Sequence, residues 1–323
     1  MHNIGIVPWF SNNFGSELTN MSLYNFLSEK NNVYFLNDKG HIDPYINKKL
    51  INKKIKIDNY NNLSLDTLCI GSDFTWGFGV PWYDKNKIND FTLSFSNKEK
   101  KISIAPCLYP SNNEYENKII KNNLSKFDLL TLRERFNKDI LNTYFNKTPE
   151  VVLDPIFLSK LNFKKQPPNN KYILAYILMP TKEKRDFLLQ LKEKTKLNLK
   201  IILNRDEPCY LGCKNIFNMD KYIVNNTETD VDTFLNHFYF SDIIVTDSYH
   251  GLCCSIIFNK QYICINDVKA NNRIKTIKEI FNLSNIYNST ENFIFNEINY
   301  KHINVKLENE IKQTKEILNK YIS

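Results

Sequence analysis

Apolar residues fall along this chain as short β-branched runs separated by longer stretches with a helical period. Residues 3–8 read as a first strand. The turn S-N-N-F-G follows, then a helix over 16–28 with Leu18, Met21, Tyr24 and Leu27 at helical spacing. Residues 32–36, 68–70, 101–105, 129–132 and 151–153 read as further strands, several running straight into polar turns such as G-S-D-F-T-W, R-E-R-F and D-P-I-F. After F-K-K-Q-P-P-N-N, whose paired prolines and asparagines make a linker, the pattern restarts. It gives strands at 172–178, 199–203, 243–245 and 262–265 and helices at 182–194 and 230–240. The last segment, 305–322, places Leu307, Ile311, Thr314, Leu318 and Tyr321 on one stripe among lysines and glutamates, which predicts a surface helix. Strands alternating with helices predict an α/β protein with parallel sheets covered on both faces. The expected division is an N-terminal Rossmann-like domain over 1–160 and a C-terminal one over 170–323, facing an interdomain cleft, with the last helix able to cross back.

The stretch 243–259, I-I-V-T-D-S-Y-H-G-L-C-C-S-I-I-F-N, carries the most information. Its first three residues suit a buried strand. Thr246, Asp247 and Ser248 then end it with side chains of the kind that cap a helix. Gly251 permits a turn or a close approach, and 252–258 reads as a buried helix. His250 therefore sits where a parallel strand hands over to a helix, the place where open α/β sheets bind ligands and where amide groups favour anions. An imidazole there suits proton transfer near neutral pH. A capping histidine without chemistry is the other reading of the same position.

Composition narrows the classes. The hydrophobic fraction of 42% and charged fraction of 24% are those of a soluble globular protein. The net charge of +8 comes from lysines spread along the chain, which fits a solvated surface or a basic face toward phosphorylated ligands or anionic lipid. No zinc-finger spacing, RNP-like aromatic motif or basic helix points to nucleic acid. The seven cysteines are an odd number, most of them in apolar runs. Cys209 and Cys213 lack a second pair to complete a zinc site, so no metal and no cofactor are expected. Reduced thiols fit a cytoplasmic protein. The first residues, M-H-N-I-G-I-V-P-W-F, lack the basic and long apolar parts of a signal peptide, and no apolar run reaches spanning length.

Taken in order, N-N-F-G-S-E-L and S-L-Y-N-F-L, I-G-S-D-F-T-W, L-L-T-L-R-E-R, V-L-D-P-I-F-L, K-Y-I-L-A-Y and F-L-N-H-F-Y-F-S-D-I-I-V-T-D-S-Y-H-G-L-C-C-S-I-I-F-N-K resemble the polysaccharide pyruvyl transferase family over most of the chain. The resemblance implies a GT-B-like pair of Rossmann-type domains, the first on the acceptor side and the second on the donor side. It also implies an activity: transfer of the enolpyruvyl part of phosphoenolpyruvate onto two hydroxyls of a sugar, giving a cyclic ketal and phosphate. The expected partners are phosphoenolpyruvate and a saccharide or lipid-linked saccharide acceptor. Work on a lipid-linked acceptor implies peripheral association at the inner face of the membrane.

By the same resemblance His250 is the proton donor; Ser248, Tyr249, Gly251 and Leu252 surround it and can supply hydroxyl or backbone contacts to the substrate. Some relatives carry arginine where this chain has Ser248, so another cation must meet the phosphate. Arg133, in L-R-E, is the first candidate, with a salt bridge to Glu134 or another carboxylate as its alternative reading. Arg205 and Arg273 each follow a strand and are further candidates. Asn13 and Gly15 occupy a strand-to-helix turn whose backbone could meet substrate. Asp73 and Trp76 pair a carboxylate, which could hold or deprotonate a sugar hydroxyl, with an indole that would stack on a sugar face if exposed; a capping Asp and a core Trp are the other reading of the same residues. A glycosyltransferase using a nucleotide sugar keeps the fold and changes the donor, with Glu207 or Glu228 as the ribose carboxylate. A non-catalytic glycan-binding protein is the third reading.

Overall fold

The computed structural model describes residues 1–81, 83–266, 272–291 and 295–322, and the side chains of these apart from residues 207 and 208. The chain forms two compact units, each assembled from separated pieces: Met1–Ser11, Ser16–Lys160 and Glu308–Ser323 in the first, Asn12–Gly15 and Leu161–Leu307 in the second.

The first unit holds β1 (Asn3–Val7), most of α1 (Phe14–Ser28), β2 (Asn32–Leu36), α2 (Pro44–Asn52), β3 (Ile57–Asp58) and β4 (Thr67–Ile70). It continues through β5 (Asp73–Trp76), α3 (Ile88–Phe91), β6 (Lys100–Ser103), β7 (Pro106–Leu108), α4 (Glu114–Leu124), β8 (Thr131–Leu132), α5 (Lys138–Tyr144) and β9 (Glu150–Val151). Its main sheet runs β3-β2-β1-β4-β6, parallel throughout, while β5 pairs with β7 and β8 with β9. β4 is buried at every residue, as expected of a strand covered on both faces. One apolar layer joins Ile4 and Ile6 of β1 to Leu23 and Leu27 of α1 and Phe35 of β2. The other collects Trp76, Phe78, Phe91, Ile120 and Phe127.

The second unit holds β10 (Tyr172–Ile177), α6 (Lys182–Thr195), β11 (Asn198–Leu203), α7 (Glu207–Phe217), α8 (Val231–Phe240) and β12 (Ile243–Thr246). It goes on with α9 (Tyr249–Ile257), β13 (Gln261–Ile265), α10 (Asn272–Phe281), β14 (Ile286–Tyr287) and the start of α11 (Tyr300–Ile322). The sheet runs β11-β10-β12-β13-β14, again parallel. β10 is buried along its whole length. Ile173, Ala175, Ile201, Val245 and Ile263 from the sheet pack with Leu188 of α6 and Phe217 of α7. Side-chain caps at Asp43, Asn113, Asn137, Thr181, Asp230 and Ser248 start α2, α4, α5, α6, α8 and α9 where these residue types belong, each worth about 1 kcal/mol.

Several expectations shift. The strand expected over 129–132 shortens to β8, because Leu129 makes only an isolated bridge to Ile102. The one expected over 151–153 moves back to β9. The last helix starts at Tyr300 and is more than a surface element. Its Leu318 and Ile322 enter the first unit's core, and Thr314 Oγ1 accepts the Leu153 amide at 3.1 Å. Residues 308–323 therefore count with the first unit and residues 12–15 with the second, so neither expected domain is one uninterrupted span.

Candidate active site

In the second unit, the end of β12 is fastened on three sides. Thr246 Oγ1 donates to the Tyr176 carbonyl at 2.7 Å and accepts the Ser248 amide at 3.1 Å. The Asp247 carboxylate accepts the Leu178 and Met179 amides at 2.7 and 2.9 Å and the Lys184 ammonium at 2.8 Å, with both charged side chains buried. Asp247 thus locks the turn after β10, a use of the carboxylate that is not visible in the motif itself. Ser248 caps α9 by accepting the Gly251 amide at 3.3 Å. Gly251 has no room for a side chain, since a Cβ there would lie 2.3 Å from Thr246 Oγ1. α9 begins at Tyr249, so His250 lies inside its first turn, at the helix end that carries partial positive charge. Its ring is 6% exposed and meets Tyr249 edge-on at 5.2 Å.

Residues 12–15 lie against this turn. A Cβ on Gly15 would come 2.0 Å from His250 Nδ1, so the absence of a side chain at 15 makes the space that the imidazole fills. Two expected site residues, more than two hundred positions apart in sequence, are thereby in contact. Phe14 stacks on Phe234 at 4.5 Å and meets Tyr176 edge-on. The Arg205 guanidinium lies 4.5 Å from the centre of the Phe14 ring and donates to the Thr229 carbonyl at 3.1 Å. Asn12 Nδ2 donates to the Arg205 carbonyl at 3.4 Å. Burial pushes the Tyr176 hydroxyl far up despite the nearby Arg205, so it remains a neutral donor beside Ser248. His250, Gly15, Arg205 and Ser248 therefore belong to one neighbourhood at the carboxyl ends of β10, β11 and β12. Phe14, Tyr176 and Phe234 complete it. The sequence signal for them lies in N-N-F-G, the aromatic run F-L-N-H-F and the strand K-Y-I-L-A-Y, but it reads equally as core.

In the first unit, Arg133 follows β8 and is 3% exposed. Its guanidinium donates to Asp154 Oδ2 at 2.5 Å, Asp73 Oδ1 at 3.2 Å and Glu134 Oε1 at 3.4 Å, and to Cys107 Sγ through two nitrogens. Cys107 Sγ donates in turn to Glu134 Oε1, and Thr19 Oγ1 to Asp154 Oδ1. Burial alone would pull the guanidinium down, yet Cys107, Asp154, Asp73 and Glu134 hold it well above its ordinary value. The structure thus shows the salt-bridge reading of Arg133, with Asp154 and Asp73 joining Glu134 around its guanidinium. Asp73 is 2% exposed and takes a left-handed backbone, φ 68°. Of the two readings of Trp76 the structure takes the core one: the ring is fully buried, packs against Phe127 and Phe145, and donates to the Phe91 carbonyl at 2.8 Å, so it offers no face to a sugar.

Of the other expected residues, Tyr249, Gly251 and Leu252 are buried in the first turn of α9, and Asn13 is half-buried beside Phe14. Arg273 stands half-buried in the first turn of α10, after residues outside the described set. Glu228 is exposed, and the Glu207 side chain lies outside the described residues. All seven cysteines are free thiols, six of them buried. Among the described residues no three His, Cys, Asp or Glu side chains gather so as to hold a metal ion, and no helix is long and apolar enough to cross a membrane.

Comparison with known proteins places this geometry. MnaA from S. aureus, solved with UDP, is 14% identical over 99% of this chain and 92% of its own, with a TM-score of 0.56. HepE from Anabaena, solved with UDP and glucose, is 9% identical over 100% and 96%, also at 0.56. A glycosyltransferase from Rickettsia africae is 13% identical over 99% and 94%, at 0.53. Identities this low speak for the fold alone, and that fold is α/β and GT-B-like, built on two Rossmann-like units with parallel sheets. The search of curated protein sequences gives no match. The sequence model of polysaccharide pyruvyl transferases matches residues 13–267, a span that opens on the N-F-G segment and includes the whole His250 turn, and the chain belongs to that family.

Proposed function

We propose that this protein moves the enolpyruvyl part of phosphoenolpyruvate onto two hydroxyls of a sugar in a cell-surface polysaccharide or its precursor, forming a cyclic pyruvate ketal and releasing phosphate. The contact between Gly15 and His250 carries the reading, because it joins two distant segments of the family match around one imidazole at the carboxyl end of a parallel strand. His250, as imidazolium, gives its proton to the methylene carbon of phosphoenolpyruvate. The alkene electrons form the new C–H bond, and the adjacent carbon becomes electrophilic. One sugar hydroxyl adds there through oxygen and releases its proton. The second hydroxyl then bonds to the same carbon as the C–O bond to phosphate breaks, the electron pair leaving with phosphate and the hydroxyl proton passing to solvent. The donor's anionic groups need a cation and aimed amides. Arg205 and the amide end of α9 supply these in this reading, with Ser248, Tyr249, Gly251 and Leu252 as the walls. Asn13 and Arg273 are secondary candidates. The first unit takes the acceptor, and there Asp73 with Arg133 shapes the loop after β4. The seven free thiols support a cytoplasmic setting, at the inner membrane face for a lipid-linked acceptor.

The test is a donor screen. Phosphoenolpyruvate is expected to raise the melting temperature more than UDP- or CMP-sugars do, and to release phosphate only when a glycan acceptor is present. A larger shift with a nucleotide sugar, together with nucleotide release, would replace this reading by glycosyl transfer on the same scaffold.

A further inference from the structure

A cavity of about 650 Å³ opens at the amino-terminal ends of β10 and β11, the opposite ends of these strands from the His250 turn. Three lysines line it, Lys192, Lys200 and Lys221, and no aspartate or glutamate does. Lys192 meets the exposed carboxylate of Glu193, which is outside the lining. The other two ammonium groups rest on aromatic rings: Lys200 lies 4.1 Å from the centre of Tyr172 and Lys221 lies 4.9 Å from that of Tyr222. Lys200 is half-buried, and burial draws its pKa below the ordinary lysine value. Behind Tyr172, the His237 ring stands edge-on to the phenol, and Lys200 helps to hold it neutral. The Asp242 carboxylate, at the same strand end, is taken up by the Tyr172 amide at 2.9 Å. A half-buried ammonium in a cavity whose described lining carries two further lysines and no carboxylate favours an anion seated there. The remaining lining is suited to sugar. Asn169, Asn170 and Asn198 offer paired amide donors and acceptors, and Tyr222 offers a half-exposed ring. The volume falls in the range of small-ligand sites.

We infer that this cavity is a second glycan site, which binds a saccharide carrying an anionic group, either a carboxylate or a phosphate, at the end of the second unit's sheet remote from His250. It would hold a charged stretch of polymer apart from the residues assigned to chemistry. The site requires no particular donor, so its test stands apart from the proposed reaction.

The experiment is calorimetric titration of the full chain with tetragalacturonate, glucose 6-phosphate and neutral maltotetraose, in the absence of phosphoenolpyruvate. At least one charged saccharide is expected to bind about 10-fold more tightly than maltotetraose, and which of the two does so identifies the anion. Lys200→Met and Lys221→Met should each weaken that binding about 10-fold, in keeping with the loss of one charge-assisted contact. A second readout uses the unaltered protein: the His237 imidazole, followed by NMR, should titrate at higher pH when the charged ligand is bound. Equal affinity for charged and neutral saccharides would overturn the inference. So would binding that leaves the His237 titration in place and survives both folded variants.

Discussion

His250 owes its position to a side chain that is absent. Gly15 does not have a positive φ, so its need for glycine is one of space and not of backbone freedom. An alanine methyl 2.0 Å from Nδ1 must push the imidazole off its place in the first turn of α9. Gly15→Ala is therefore expected to lower kcat nearly as far as His250→Ala does, a factor of about 10² to 10⁴ if the imidazole is the general acid. His250→Gln should be equally inactive with a melting temperature close to the parent's, since an amide keeps much of the shape and gives up no proton. Near-native turnover in Gly15→Ala or in His250→Gln would take the imidazole out of the mechanism. Arg133 gives the residue-scale contrast. Arg133→Gln leaves Asp73, Asp154 and Glu134 buried around a neutral group, and a cost of about 3–5 kcal/mol is expected in denaturant unfolding. A variant of native stability with a raised KM for phosphoenolpyruvate would instead make Arg133 a donor ligand.

Among the elements, α8 carries the clearest pH signature. His237 is pushed down to about 4, first by burial and then by Lys200. The folded pKa lies below the unfolded value of about 6.5, so between these limits the unfolded chain binds the extra proton. Stability should accordingly rise with pH through that window and fall as pH drops from about 6.5 toward 4. His237→Gln removes this contribution, and its urea midpoint should decline less steeply than the parent's between pH 6.5 and 4.5; parallel declines would deny the histidine that role. The elements also show what a sequence can and cannot disclose. β12 and α9 are legible because β-branched residues, a serine cap and a glycine follow one another within a few positions. α10 offered a comparable stripe, Ile274, Ile277 and Phe281, that periodicity alone could have supplied. α4 did not, since its only buried residues are Ile120, Asn123 and Leu124 among lysines, glutamates and asparagines. The surroundings of Trp76 and most of those of Arg133 depend on partners that no local pattern names, the adjacent Glu134 in L-R-E being the exception. Trp76 is enclosed by Phe127 and Phe145, and Arg133 by carboxylates 60 and 21 positions away.

At the level of the whole chain, each unit borrows a segment that sequence order would assign to the other half. For the first unit that segment is the end of α11. Leu318 and Ile322 are buried with Ile4, Leu27 and Phe35, and Thr314 satisfies the Leu153 amide. The stripe of Leu307, Ile311, Thr314, Leu318 and Tyr321 announces an amphipathic helix, but periodicity gives only a face and not the partner that covers it. Removing a fully buried leucine typically costs about 2–5 kcal/mol, and deleting residues 308–323 strips away Leu318, Ile322 and a backbone partner together. The loss should be confined to one unit, because the described apolar residues that pack with Ile173, Val245, Leu188 and Phe217 in the second unit include none beyond 307. In hydrogen exchange, a chain ending at Leu307 is expected to lose protection in β1, β2 and α1 while β10, β12 and β13 keep theirs. Uniform loss across both sheets would mean that the two units unfold as one, and unchanged protection in β1 would mean that α11 contributes nothing to the core it enters.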